Sequence, residues 1–142
     1  FFLTDEDGMN SLYDRKHEVS NSITSHFKRS KDKVSVKRFD ELESKIDFIP
    51  LIKIDAEGSE LSVIKGFGNY LENTLLIQFE WGRAQLDSKN TFKNFYDYLK
   101  KFNFDLYIIH PSGIKKITKY SLQEEIYIAS NFVCINKNLM NN

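Results

Sequence analysis

The sequence predicts an α/β domain: a mostly parallel sheet finished by a C-terminal antiparallel hairpin. Three observations predict it. Residues 51–60, Leu-Ile-Lys-Ile-Asp-Ala-Glu-Gly-Ser-Glu, read as a strand running into a turn and then a helix. Residues 74–79 form a second apolar run that, like the first, is closed by an acid. Phe92, Phe95, Tyr96, Leu99 and Phe102 recur at helical spacing, the strongest such stripe in the chain. Strand, helix, strand, helix, strand, strand is the order expected of crossovers that end in a hairpin.

In chain order, Phe1 to Thr4 is a short apolar run closed by the turn signal Asp5-Glu6-Asp7-Gly8 and reads as a strand end. Residues 10–33 are rich in Ser, Asn, Lys and Asp without a sustained period, so they read as a loop-rich segment. His17 and His26 within it read as surface residues, and the basic run 28–33 as a solvated turn. Residues 34–39 alternate apolar and polar, as a half-exposed strand does. Asp40 is expected to cap a short helix with Glu43 as capping-box partner, and Leu42 and Ile46 facing inward. Pro50 stands at the mouth of the central strand, where its missing N–H is tolerated.

Ile52, Ile54 and Ala56 form one clean face of that strand, while Leu51, Lys53, Asp55 and Glu57 alternate onto the other. Burying those charges unpaired costs several kcal/mol per ion. Asp55 and Glu57 are therefore expected past the strand's carboxyl end, the edge at which open α/β sheets bind ligands. Gly58 permits a tight turn, Ser59 is placed to cap the next helix, and Glu60 reads as a first-turn acid favoured by the helix dipole. Leu61, Ile64, Phe67 and Leu71 mark that helix's inward face, and Gly66 and Gly68 weaken its end. After the second strand, which closes on Glu80-Trp81-Gly82, and the aromatic helix, residues 105–109 form a third strand ended by His110-Pro111-Ser112-Gly113. A last strand is expected over 126–135, broken around Ala129 to Asn131.

The 142 residues are read as one domain, long enough for a hydrophobic core without staples. Twenty basic and twenty acidic residues balance, so no strong field steers the chain to nucleic acid or anionic lipid. No apolar run approaches the roughly 20 residues of a membrane span. Cys134 is the single cysteine, which excludes an internal disulfide and fits a reducing, cytoplasmic setting.

The segment Lys53 to Leu61, followed by Val63-Ile64-Lys65-Gly66, resembles the signature of the FkbM family of S-adenosylmethionine-dependent methyltransferases. Residues 76–80 resemble that family's next strand, and residues 10–12 and 36–42 are similar to segments upstream. The resemblance implies a Rossmann-like class I methyltransferase sheet. It also implies S-adenosylmethionine as donor and O-methylation of a sugar or another small-metabolite hydroxyl. No Gly-rich turn follows a strand in this sequence, and Gly66-Phe67-Gly68 falls at a helix end instead. The chain is thus expected to represent the C-terminal part of such a domain, without the N-terminal donor-binding strands, and not to bind donor tightly alone.

In-line methyl transfer requires a positioned acceptor hydroxyl and a group that takes its proton. Asp55, Glu80 and Glu57 are the expected catalytic acids, with Asp55 and Glu57 also facing the cationic donor. Asn10 and Ser11 (by the resemblance), Trp81 and His110 are the expected acceptor-side residues. Asp55, Glu57 and Glu80 together would also make a hard oxygen site suited to Mg²⁺. Each residue has a plainer reading: Asp55 paired with Lys53, Glu57 at a helix N-terminus, Glu80 exposed after a buried strand, Trp81 in the core, and His110 in a turn. Two rival functions share these residues. One is a metal-dependent phosphoryl or glycosyl transferase using Asp55 and Glu57, which would need a phosphate cradle that the sequence does not show. The other is a non-catalytic α/β binding module left by truncation.

Overall fold

The computed structural model describes residues 2–3, 30–31, 35–42 and 45–140. Phe2–Leu3 (β1) and Ser30–Lys31 (β2) pair antiparallel in a small ladder of their own. The expected strand end at the N-terminus is therefore present, but it does not join the main sheet. The loop-rich reading of 10–33, the histidines within it, Asn10, Ser11 and Glu43 lie otherwise outside the described residues.

The main sheet has five strands: β3 (Ile49–Ile54), β4 (Thr74–Trp81), β5 (Phe104–His110), β6 (Gly113–Ile117) and β7 (Ser130–Asn136). Their spatial order is β3-β4-β7-β5-β6. Only β3 and β4 pair in parallel, and the other three contacts are antiparallel. This corrects the expected mostly parallel sheet. β3, β4 and β5 do run in one direction, but β7 inserts antiparallel between β4 and β5. Local sequence patterns carry no information about such an insertion.

Two further expectations about strands are corrected. β3 lies at one end of the described sheet rather than in its middle. Leu51 stays half exposed and Lys53 exposed, so the second face needs no buried partner for its charges. The expected last strand begins at Ser130, not Ile126, and the hairpin partner of β5 is β6, joined through Pro111 and Ser112. β6 escaped sequence reading because only Ile117 of its five residues is buried. Lys115 and Lys116 on an edge strand look like loop residues, although charges there are a common guard against edge-to-edge pairing.

The buried apolar residues of the sheet all lie on one face. Ile52, Ile77, Cys134, Leu106 and Ile117 line up across the register, as do Ile54, Phe79 and Phe132. Two helices cover that face. The first, α1 (Glu60–Gly66), buries Leu61 and Ile64 as expected, and the 3₁₀ segment Gly68–Asn73 adds Leu71. A single turn, α2 (Ala84–Asp87), follows β4. The long helix is α3 (Phe92–Lys101), and its aromatic stripe is core: Phe92, Phe95 and Leu99 are fully buried. Phe95 stacks on Phe79 with centroids 4.9 Å apart, and Trp81 meets Phe92 and Phe95 edge-on, each at 5.4 Å. Such pairs add roughly 0.5–1.5 kcal/mol each beyond the area they bury.

Of the half-exposed strand expected over 34–39, the described residues 35–39 form none. Residues 35–38 are irregular and exposed, and a 3₁₀ turn (Phe39–Glu41) follows without a side-chain cap. Asp40 instead binds Arg38, at 2.6 Å, and Leu42 is exposed rather than inward-facing. A side-chain ion pair two residues away has replaced the cap.

Candidate active site

The register sets the geometry of the site. β3 and β4 run parallel with Ile54 opposite Phe79, which brings the next residues, Asp55 and Glu80, level with each other. Both acids therefore emerge at the carboxyl ends of adjacent strands and on the same side of the sheet. They line one cleft of about 450 Å³ together with Glu57, Glu60, Gly82, Arg83, Ala84, Gln85, Tyr127, Ile128 and Ala129.

The turn after β3 is unusual in its backbone. Glu57 has φ of +48° and Gly58 of +104°. A Cβ at Gly58 would lie 2.5 Å from the Ala84 carbonyl oxygen, so glycine is required both for conformation and for the close approach of the next loop. The carboxylate of Glu60 folds back over this turn. It accepts from the Ala56 N–H at 3.0 Å and from the Gly58 N–H at 3.0 and 3.2 Å. Gln85 Nε2 donates to the same carboxylate from the β4 side. Glu60 is only 2% exposed, so it is no simple first-turn acid at a solvated helix end. Ser59 precedes α1, but its hydroxyl makes no cap bond and is buried without a hydrogen-bond partner.

The electrostatics follow from crowding. Burial, and then the nearby charges of Asp55, Glu57 and Glu60, hold the Glu80 carboxyl above the usual carboxylate range. Arg83, which also lines the cleft, is exposed.

The third wall comes from the segment between β6 and β7. Trp81 does not line the cleft; it is a buried core residue whose indole N–H donates to the Ile126 carbonyl at 2.8 Å. That bond fixes the strap from which Tyr127, Ile128 and Ala129 face the cleft. Glu125 anchors the same strap by accepting from the Phe92 N–H at 2.7 Å, the Lys93 N–H at 3.0 Å and the Tyr120 hydroxyl at 2.8 Å.

Of the residues expected at the site, Asp55, Glu57 and Glu80 are brought together, Trp81 supports from behind, and His110 stands apart. His110 ends β5 and bonds Ser112 within the β5–β6 turn, its Nδ1 2.7 Å from the Ser112 hydroxyl. That geometry matches its plainer reading as a turn residue. Sequence reading missed Glu60 as a site residue, along with Gln85 and residues 127–129. The only signal was the position of Glu60 two residues after a turn glycine.

The chemistry of the cleft can be compared with that of known proteins. A family model described as the methyltransferase FkbM domain matches residues 1–106. The chain belongs to the FkbM methyltransferase family. No curated protein and no solved structure matched the chain. For an FkbM methyltransferase, the cleft of strand-end acids lies where ligands of open α/β sheets are bound. The carboxylates suit one part of S-adenosylmethionine, its cationic sulfonium. No Gly-rich turn follows a strand among the described residues, so a cradle for the rest of the donor is not seen among them. Among the described residues no group of three His, Cys, Asp or Glu side chains is arranged to hold a metal ion. The Glu60 carboxylate in the same cleft is already used by backbone amides and Gln85. Also among them, no helix is long and apolar enough to cross a membrane.

Proposed function

We propose that the cleft performs S-adenosylmethionine-dependent O-methylation of a hydroxyl on a sugar or another small metabolite. The observation that carries the reading is the level placement of Asp55 and Glu80 at the ends of two paired parallel strands, opening onto one cavity. Bound donor supplies an activated methyl group on a sulfonium. The chain's own part is to place the acceptor and manage its proton.

Glu80 is the proton acceptor in this reading. Burial and the neighbouring acids raise its pKa, which makes it a stronger base than an ordinary carboxylate. Asp55, exposed and level with it, orients the acceptor hydroxyl and with Glu57 offers negative charge to the sulfonium. Tyr127, Ile128 and Ala129 supply the less polar wall against which a sugar ring or carbon skeleton rests. Cys134 is fully buried, and burial pushes its thiol pKa up, so it has no part in the chemistry of the cleft.

The test is methyl transfer from radiolabelled S-adenosylmethionine to a panel of sugars and small hydroxyl metabolites by the protein carrying these residues. Glu80→Gln should lower kcat by about 10²–10⁴-fold, the usual contribution of a positioned proton acceptor, and Asp55→Asn by up to about 10²-fold through misplacement of the acceptor hydroxyl. Transfer that proceeds equally well in both variants would remove the cleft from the mechanism.

A further inference from the structure

We propose that Glu60, braced by Gln85, is a positioning residue for the cleft: it locks the Asp55–Gly58 turn to the loop after β4. The two strand-end acids sit on separate loops, and parallel pairing ends at Ile54 and Phe79. Beyond that point another connection must hold the loops at a constant separation, and the Glu60 carboxylate supplies it. Its Oε1 receives the Ala56 and Gly58 amides, and its Oε2 receives the Gly58 amide and Gln85 Nε2. Both side chains are almost wholly buried, at 2% and 1% exposure. Charge-assisted hydrogen bonds out of water hold geometry more firmly than neutral ones.

Each end of the connection is itself anchored. On the β3 side the carboxylate bridges two amides that flank Glu57, a non-glycine residue in the left-handed region. That conformation persists where surrounding contacts over-determine it. On the β4 side Gln85 is held by its own backbone: its N–H donates to the Gly82 carbonyl at 3.0 Å, and its carbonyl accepts from the Asn90 N–H at 3.1 Å and the Ser88 hydroxyl at 3.1 Å. The contact of Gly58 with the Ala84 carbonyl closes the gap between the loops alongside this bond. Glu60 acts through the turn and through Gln85, and its carboxylate has no oxygen left for proton transfer.

The structural arm of the test needs no substrate. Amide hydrogen exchange followed by NMR should show Ala56 and Gly58 protected in the wild type. In Glu60→Gln they should exchange about tenfold faster or more, the change expected when about 1.4 kcal/mol of local protection is lost. Ile54 and Phe79 should be unchanged. Gln85→Met keeps the carboxylate and both backbone donors and removes the bond between loops, together with a weak bond from the Ser88 hydroxyl at 3.4 Å, so it serves if Glu60→Gln fails to fold. The reciprocal pair Glu60→Gln with Gln85→Glu restores a donor and an acceptor across the loops and should recover part of the protection.

The catalytic arm rests on the methyl-transfer reading. Both single variants should lower kcat per folded molecule by about tenfold to a hundredfold with little change in KM, because misplacement of reacting groups by an ångström costs on that order. The reciprocal pair should recover part of kcat. Unchanged Ala56 and Gly58 exchange in both single variants, or unchanged kcat with only a lower melting temperature, would overturn the proposal. Altered exchange with no methyl transfer in the wild type would leave the connection standing and sink the functional reading instead.

Discussion

Glu80 carries the clearest energetic signature of the site. Burial and three neighbouring acids raise its pKa, so its ionised form is less favourable in the folded chain than in the unfolded one. The sign follows from proton linkage. Where both states are protonated, below the ordinary carboxylate value, Glu80 exerts no penalty. The penalty grows as pH rises from the ordinary carboxylate value through the raised native value. Glu80→Gln should therefore raise the melting temperature above that of the wild type on the alkaline side of this window, and the gain should shrink as pH approaches 4. Calorimetric melts of wild type and variant across that range check this. A variant less stable at pH 7, or a pH-independent difference, would contradict the assignment. A substitution that stabilises the chain and abolishes transfer would be the mark of a residue kept for chemistry at the expense of stability.

At the scale of elements, α3 is the best-founded piece of the chain, and its start is satisfied from two directions. Thr91 Oγ1 accepts from the Asn94 N–H while Asn94 Oδ1 accepts from the Thr91 N–H, a reciprocal capping box. Glu125 takes the two remaining first-turn amides, Phe92 and Lys93, from 32–33 residues away. The same carboxylate accepts from Tyr120, whose pKa is pushed up to about 12 by that bond, then by burial and the Glu125 charge. Glu125→Ala should cost about 0.5–2 kcal/mol, as loss of a helix cap does, and return Tyr120 toward its ordinary titration near pH 10. Near-ultraviolet titration of the seven tyrosines tests this: the latest tyrosinate of the wild type, that of Tyr120, should move toward pH 10 in the variant, while Tyr98 stays raised by burial. Wild-type stability should fall between pH 10 and about 12 as Tyr120 ionises in the unfolded chain before it does in the folded one.

The same elements show what was legible in the sequence. The aromatic stripe of α3 and the apolar runs of β3, β4 and β5 follow local periods and were readable. So were Asp55, Glu57 and Glu80, because an acid that closes a buried strand has few places to go. β6 was hidden by its lysines, and the strand expected over 34–39 failed because Arg38 and Asp40 pair locally. Glu60, Gln85 and the 127–129 wall depend on tertiary contacts between segments distant in sequence. No period could place them, and the one spacing signal was the position of Glu60 two residues after Gly58.

At the scale of the whole molecule, the sheet is two parallel strands and a hairpin joined by β7. Residues 130–136 pair with both β4 and β5, and Phe132 is buried between Phe79 and Phe92, at centroid distances of 5.5 and 4.7 Å. Phe132→Ala should cost about 3–5 kcal/mol through the lost burial and the cavity left behind. That is a large fraction of a typical domain's stability. Urea unfolding with circular dichroism measures it. A loss well under 1 kcal/mol would mean that β7 is not the keystone these contacts make it.

The strand latest in sequence among those described is thus the one at the middle of the ladder. During synthesis β3, β4, β5 and β6 all leave the ribosome before the segment that unites them. Until residues 130–136 emerge, β4 and β5 each wait with an open hydrogen-bonding flank. Such long-range closure is slow, and the waiting edges are sticky. Nascent chains of this protein should accordingly call on holding chaperones most strongly while β4 and β5 have emerged and residues 130–136 have not.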